Sequence, residues 1–283
     1  PSIVSTVNGL KAHAFDITFL PVDKEGFVDP DALEDSIRDD TVLISIMTAN
    51  NEIGTIEPIK ELSKIAHEHE ILFHTDAVQA FGKIPLELKN VDLLSASSHK
   101  IYGPKGVGLL FVREGVKLEP LLHGGGHEGG MRSGTENVAG IVGFTKAVEI
   151  AEKEMHSEAR RQVKLRDKLI SGLSEVPDSW LNGPRKNRLP NNVNFSFKYI
   201  EGESLVLRLD GEGIAASTGS ACSSHELKPS HVLLAIGLTP EEAHGSLRLT
   251  LGKQNTEEQV EYVVEKVRKA VSELRELSPL ARK

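Results

Sequence analysis

The feature that most constrains this chain is an alternation, through its first half, between short apolar β-branched runs and stretches with helical periodicity. Ile17 to Leu20 reads as a strand. Asp29 and Pro30 read as an N-cap and first turn opening a helix to about Ile37, since proline there gives up an N–H that has no intrahelical partner. Thr41 to Met47 is strand-like, and Pro58 to His67 is helical with Ile59, Leu62, Ile65 and Ala66 on one face. Ile71 to Phe73, Val91 to Leu94 and Val107 to Phe111 are further short strands. Strands alternating with helices predict an α/β fold with a largely parallel sheet covered on both sides.

From about Asn137 to Ser174 the pattern is helical, without proline, and long enough to bridge two domains. After Pro177 it changes. Asn191 to Phe197 and Ser246 to Leu251 read as strands, and Leu205 to Leu209 as an apolar helical stretch. Thr239-Pro240-Glu241-Glu242 and Thr256 to Gln259 are capping boxes. The second opens a final helix with Val260, Val263, Val264, Val267, Ala270, Val271 and Leu274 at helical spacing. The expected division is a large α/β domain over residues 1–155 and a smaller α+β domain over residues 156–283.

The formal net charge of −8 argues against a nucleic-acid partner. No apolar run approaches a membrane-spanning length, and there is no signal-peptide pattern, so a cytoplasmic protein is expected. Cys222 is the single cysteine, which excludes an internal disulfide framework and fits a reducing compartment. With three methionines and one cysteine, soft-metal chemistry is not expected.

Several segments carry chemistry. Lys100 lies in Ser97-Ser98-His99-Lys100-Ile101-Tyr102-Gly103-Pro104-Lys105-Gly106-Val107-Gly108, between an apolar run and a glycine-rich one. A lysine that forms an imine with pyridoxal phosphate needs shelter and phosphate-binding neighbours, and this segment offers both; a surface lysine before a turn is the alternative. Asp76 follows the strand Ile71 to Phe73, at the edge where open α/β sheets bind ligands. A carboxylate there can hold the proton on a pyridine nitrogen, or it can simply cap the next helix. Asn50-Asn51-Glu52-Ile53-Gly54 reads as a turn whose amides reach a ligand or only close the turn.

The glycine-rich stretch His123 to Gly130 leads through Arg132 and Thr135 into the long helix, where free N–H groups and the threonine can meet a phosphate. The His123/His127 spacing resembles a helical metal pair, but three intervening glycines argue against a helix, and no metal site is expected. His67-Glu68-His69 reads as a solvated helix end. Ser217-Thr218-Gly219-Ser220-Ala221-Cys222-Ser223-Ser224 is small and polar, an exposed loop in which a cysteine is reactive rather than structural. Arg248, between apolar strand neighbours, suits a substrate carboxylate or is an edge-strand charge.

Together these segments resemble the cysteine desulfurases of the NifS/IscS type, fold-type I enzymes that use pyridoxal 5'-phosphate (PLP), over essentially the whole chain. The most specific pieces are Ser97 to Gly108, His123 to Thr135, and Ser217 to Ser224 followed by Lys228-Pro229-Ser230; Asn51 to Gly54 and Asn194 to Glu203 also match. The resemblance implies that Lys100 is the imine-forming lysine, that Asp76 meets the pyridine nitrogen and Gln79 the phenolic oxygen, and that Ser97 and His99 bind the phosphate. Thr135 would contribute to the partner subunit's phosphate site, which implies a homodimer. Asn51 and Arg248 would hold the carboxylate of L-cysteine, and Cys222 would accept its sulfur as a persulfide, leaving L-alanine. The cysteine loop resembles the subgroup that hands sulfur to an iron–sulfur scaffold protein of the IscU type.

The family has an N-terminal portion, with a histidine that stacks on the cofactor ring, that does not appear here, and Pro1 aligns just beyond that histidine. A truncated or cleaved chain is therefore expected. Two further readings stand beside the desulfurase: a selenocysteine lyase with the same cofactor, and an inactive piece that only binds a partner.

Overall fold

The computed structural model describes residues 2–219 and 229–279 and opens with a helix, α1 (Ser2–Leu10), that buries no side chain. Nothing in the sequence reading anticipates α1, because Ile3, Val4, Thr6 and Val7 are β-branched and lower helix propensity. Ile17 to Leu20 is a correction. It joins no sheet among the described residues, and the nearest pairing is the isolated bridge Val22↔Val28. Phe19 there is largely exposed and Pro21 follows, so the run has neither a buried face nor a continuous row of donors.

The expected helix at Asp29–Pro30 forms as α2 (Pro30–Asp35), with the Asp29 side chain accepting from the Asp31 N–H. The next elements are β1 (Leu43–Ser45), α3 (Ile59–Glu68), β2 (Leu72–Asp76), β3 (Leu93–Ser97), β4 (Gly108–Val112) and α4 (Val138–Leu173). The four strands form one sheet in the order β1-β2-β3-β4, parallel except for the antiparallel β4. α3 buries Ile59, Leu62, Ser63 and Ala66, close to the face read from its periodicity. In the first part of α4, Phe144, Ala147 and Ala151 pack on Ile101, with Phe81 and Val107 beside them. This packing fixes the turn that follows β3.

The C-terminal elements are β5 (Ser179–Leu181), β6 (Asn192–Phe197), α5 (Gly202–Gly211), α6 (His231–Ala235), α7 (Pro240–His244), β7 (Ser246–Thr250) and α8 (Glu257–Leu277). β5, β6 and β7 form an antiparallel sheet in that order, with Asn194 opposite Arg248. Both capping boxes form, Thr239 with Glu242 and Thr256 with Gln259. Phe195 and Phe197 of β6, Leu169 and Leu173 of α4, and Val267 and Val271 of α8 share one core. β5 escapes the sequence reading because three residues are too few to show alternation.

Contacts divide the chain into two compact units, one of Asp40–Ala49 and Pro58–Ala159, the other of Pro1–Asp39, Asn50–Glu57 and Arg160–Lys283. The short stretch 50–57 thus groups with the C-terminal sheet rather than with the strands that flank it in sequence.

Glu57, at the end of that stretch, is buried and accepts the Val28 N–H at 3.0 Å. Burial, reinforced by the nearby Asp23, pushes its carboxyl up to about 7 despite that bond. The folded protein therefore holds this proton more tightly than the unfolded chain, and stability from this group falls as pH rises from about 4.5 to about 7. Glu57→Gln keeps an acceptor for Val28 without the ionisation penalty. Thermal melts should show the variant roughly 5 °C above the parent at pH 8 and level with it at pH 4.5; an offset that does not change with pH would contradict this origin.

Candidate functional site

The candidate residues around Lys100 lie on the sheet of β1–β4. Because β2 and β3 are parallel neighbours, with Asp76 opposite Ser95, their carboxyl ends leave the sheet at one edge. Asp76 ends β2, and its Oδ1 accepts the Val78 N–H at 2.9 Å. The backbone then turns sharply, Ala77 donating to Ser95 O at 2.9 Å and Phe81 to Ala77 O at 2.7 Å. Thr48 clamps the same strand end by donating to Asp76 O at 2.9 Å, with the Thr48 and Thr75 hydroxyls 2.7 Å apart.

β3 ends at Ser97, and Ser98–Ile101 form one 3₁₀ turn that Tyr102 closes in the left-handed conformation. Ser98 and Ile101 point into the core, which leaves His99 and Lys100 on the outside. A Cβ at position 103 would run into Ser98 Oγ and crowd Ala147 Cβ at 3.1 Å and Ser98 O at 3.2 Å, so Gly103 gives this turn its close packing. The shelter expected around Lys100 is thus not provided by the turn: both His99 and Lys100 are exposed, since the apolar run Val91 to Leu94 is spent inside the strand. Ser97 is half-buried at the strand end.

Two residues that the sequence reading did not single out complete this edge. Lys83 donates to Gln79 O at 3.0 Å and to Gln79 Oε1 at 3.2 Å. Burial, and then the Lys100 charge, lower its pKa to about 8. With its side-chain oxygen engaged, Gln79 is left to donate from its amide nitrogen. His74 is buried two residues before Asp76, with Nδ1 2.8 Å from Ser45 Oγ and Nε2 2.9 Å from Ser95 Oγ. It pins β2 to both neighbours, and burial keeps its pKa below the ordinary value against the pull of Asp76. The signal available for each was only a polar residue close to Asp76.

The glycine-rich loop folds on itself. Ser133 Oγ donates to Gly125 O at 2.7 Å, and the positive φ angles of Gly129 (64°), Gly130 (86°) and Gly134 (115°) allow its reversals. Thr135 is exposed ahead of α4. The helix is capped by Asn137, whose Oδ1 accepts the Gly140 N–H at 3.1 Å, so Thr135 stands before the cap and not at the helix start.

A second group of candidate residues, Arg248 and the Asn50–Gly54 turn, lies with β5–β7 in the other unit. Arg248 sits on the edge strand β7, and its guanidinium donates to Asn51 O at 2.9 Å and, from Nε and Nη2, to Ser217 Oγ at 3.2 and 3.1 Å. These bonds hold the planar guanidinium in a fixed orientation on the edge strand. The Asn50–Gly54 turn is closed by its own side chain, Asn50 Oδ1 accepting from Glu52 N at 2.8 Å and Ile53 N at 3.1 Å. Asn51 therefore meets Arg248 through its carbonyl. Glu52, also unforeseen as a site residue, is buried with its Oε2 2.5 Å from Ser230 Oγ, and burial raises its carboxyl pKa. Cys222 lies outside the described residues.

The donor set at the β2–β3 edge fits PLP. Asp76 offers a carboxylate with one oxygen already fixed, Gln79 an amide donor, Ser97 and His99 a hydroxyl and an imidazole, and Lys100 a primary amine.

Residues 2–263 match the family model for aminotransferase class V. The chain is 56% identical over 281 residues to a protein of Dictyoglomus turgidum named cysteine desulfurase IscS, covering 98% of this chain and 71% of that protein. A solved structure described as a NifS-like protein superposes with a TM-score of 0.89 at 43% identity, covering 96% of this chain and 72% of the other. Another, described as SspA in complex with cysteine, gives 0.75 at 37% identity over 88% of this chain and 70% of its own. PLP is the cofactor of this family. The match over nearly the whole chain, on a sheet whose carboxyl edge carries Asp76 and Lys100, shows that the chain belongs to the aminotransferase class-V family and, within it, to the cysteine desulfurases.

Proposed function

We propose that this chain is a cysteine desulfurase that moves sulfur from L-cysteine to Cys222, releases L-alanine, and feeds iron–sulfur cluster assembly. The observation that carries the reading is the placement of Asp76 and the Ser97–Lys100 turn at one edge of the parallel sheet. The relative named cysteine desulfurase IscS and the neighbour described in complex with cysteine support the substrate.

Bound at that edge, PLP supplies an electron sink that acidifies the amino acid's Cα–H. Asp76 would hold the proton on the ring nitrogen, and Gln79 would donate to the phenolic oxygen. Ser97 and His99 would hold the phosphate, and Thr135 would do so for the partner subunit. Lys100 would accept the Cα proton on its side-chain amine. Arg248 and Asn51 would hold the substrate carboxylate, Arg248 through its planar fork. Cys222, as thiolate, attacks the substrate sulfur: the S–S bond forms, the C–S bond breaks, and its electron pair stays with the carbon skeleton, which is protonated to alanine. Cys222–SH plus L-cysteine gives Cys222–S–SH plus L-alanine, with no external oxidant.

A homodimer is supported by exposed Leu121, Leu122, Met131, Val138, Ile141 and Val142, which flank Thr135 in sequence. The acceptor fits a scaffold protein of the IscU type, by the resemblance of the loop around Cys222. Among the described residues no helix is long and apolar enough to cross a membrane; a cytoplasmic site of action is part of the proposal.

Cys222→Ser should lower alanine formation at least about 10³-fold while PLP content, read by absorbance, stays at the parent's level. Lys100→Ala should remove the visible absorbance of the bound cofactor and turnover together. Retained turnover in either variant would overturn that residue's role. Arg248→Lys replaces a fork by a single ammonium and should raise KM for L-cysteine about 10- to 100-fold with a smaller change in kcat; an unchanged KM in steady-state kinetics would remove Arg248 from carboxylate binding.

A further inference from the structure

Glu52 is a buried carboxyl that the mechanism above does not use. Its main chain is locked: the N–H donates to Asn50 Oδ1 at 2.8 Å, and the carbonyl accepts from Asn192 Nδ2 at 3.0 Å and Asn194 Nδ2 at 3.1 Å. Its side chain therefore projects from a fixed base. Carboxylates are costly to bury unless bonded, and this one takes the Ser230 hydroxyl at 2.5 Å. Ser230 Oγ in turn accepts the Val232 and Leu233 N–H groups at 3.2 and 3.3 Å and so caps α6.

Gly219 reaches the same point from the other side. Its N–H donates to Ser246 Oγ at 3.2 Å, and a Cβ there would lie 3.2 Å from Glu52 Oε2, from Ser230 Cβ and from Ser246 Oγ. Two residues earlier, Ser217 exchanges backbone bonds with Arg248 at 3.2 and 2.7 Å and accepts its guanidinium. Gly219 and Ser230 flank in sequence the segment that carries Cys222. Both flanks thus converge on one carboxyl, and the residue before it, Asn51, holds Arg248 through its carbonyl.

We propose that Glu52 is a positioning residue for sulfur transfer: it bonds Ser230 on one stem of the cysteine segment and braces Gly219 on the other by close packing, on the same turn that aims the substrate-carboxylate arginine. The inference rests on the desulfurase reading. A fixed pair of stems sets the point from which the thiol reaches substrate, so loosening them lowers the chance of a productive approach without changing how the substrate carboxylate is bound.

The test compares Glu52→Ala, Glu52→Gln and Ser230→Ala with the parent enzyme carrying its PLP. Glu52→Ala and Ser230→Ala should each lower kcat for persulfide formation on Cys222 about 10- to 100-fold. KM for L-cysteine should stay within about threefold, and PLP content should be unchanged. The double variant Glu52→Ala/Ser230→Ala should be no slower than Ser230→Ala, which already deletes the shared bond together with the α6 cap. Glu52→Gln keeps an oxygen for the Ser230 hydroxyl and should recover most of the lost rate. Amide hydrogen exchange on cofactor-free protein should quicken at Gly219, Val232 and Leu233 in Glu52→Ala and not in Glu52→Gln.

A Glu52→Ala kcat within twofold of the parent's, a KM that rises as kcat falls, or a Glu52→Gln variant as slow as Glu52→Ala would overturn the proposal. Should Glu52→Ala fail to fold, Ser230→Ala with Glu52→Gln decides it by the same criteria. A parent protein that releases no alanine defeats the desulfurase reading instead, and the exchange measurement then still reports whether Glu52 joins the stems.

Discussion

The parallel pairing of β2 with β3 is the constraint on which the placement of Asp76 and Lys100 depends. With Asp76 opposite Ser95, a carboxylate and an amine separated by a full strand unit leave the sheet at the same edge. Antiparallel strands would send them to opposite ends. His74 reinforces this pairing by bonding to a serine on each neighbouring strand, and Thr48 holds the Asp76 carbonyl. The edge is thus preorganised before any cofactor arrives, which is where electrostatic catalysis gains most.

Charge at this edge is managed by burial as much as by pairing. Lys83 and Lys100 lie close enough to repel, and Lys83, lowered to about 8, gives up its proton at far less cost than a surface lysine does. In the other unit the buried carboxyl of Glu52 meets a hydroxyl, with the Arg248 charge nearby. Buried polar groups of this kind are costly unless every partner is in place, so they specify one arrangement of their surroundings.

Much of this was legible in the sequence because it is local. Periodicity gave α3 and α8, the capping boxes gave the starts of α7 and α8, and the residues after each strand gave Asp76 and Lys100. What escaped depends on contacts distant in sequence. Glu52 looks like any acidic turn residue until Ser230, 178 positions away, is beside it. The exposure of Lys100 follows from which residues of a single turn face the core, and the capping of α4 by Asn137 leaves Thr135 two residues ahead of the cap. Ile17 to Leu20 had strand composition but no partner strand, which composition cannot reveal.

The central claim is that Lys100, and no other lysine, is the residue that bonds the cofactor. The direct measurement is borohydride reduction of the PLP-loaded protein followed by peptide mapping by mass spectrometry. The account predicts a pyridoxyl-phosphate mass increment on the peptide containing Lys100 and none on Lys83 or Lys105. A modification at Lys83, whose lowered pKa makes it the strongest competitor, or no modified peptide at all, would contradict it.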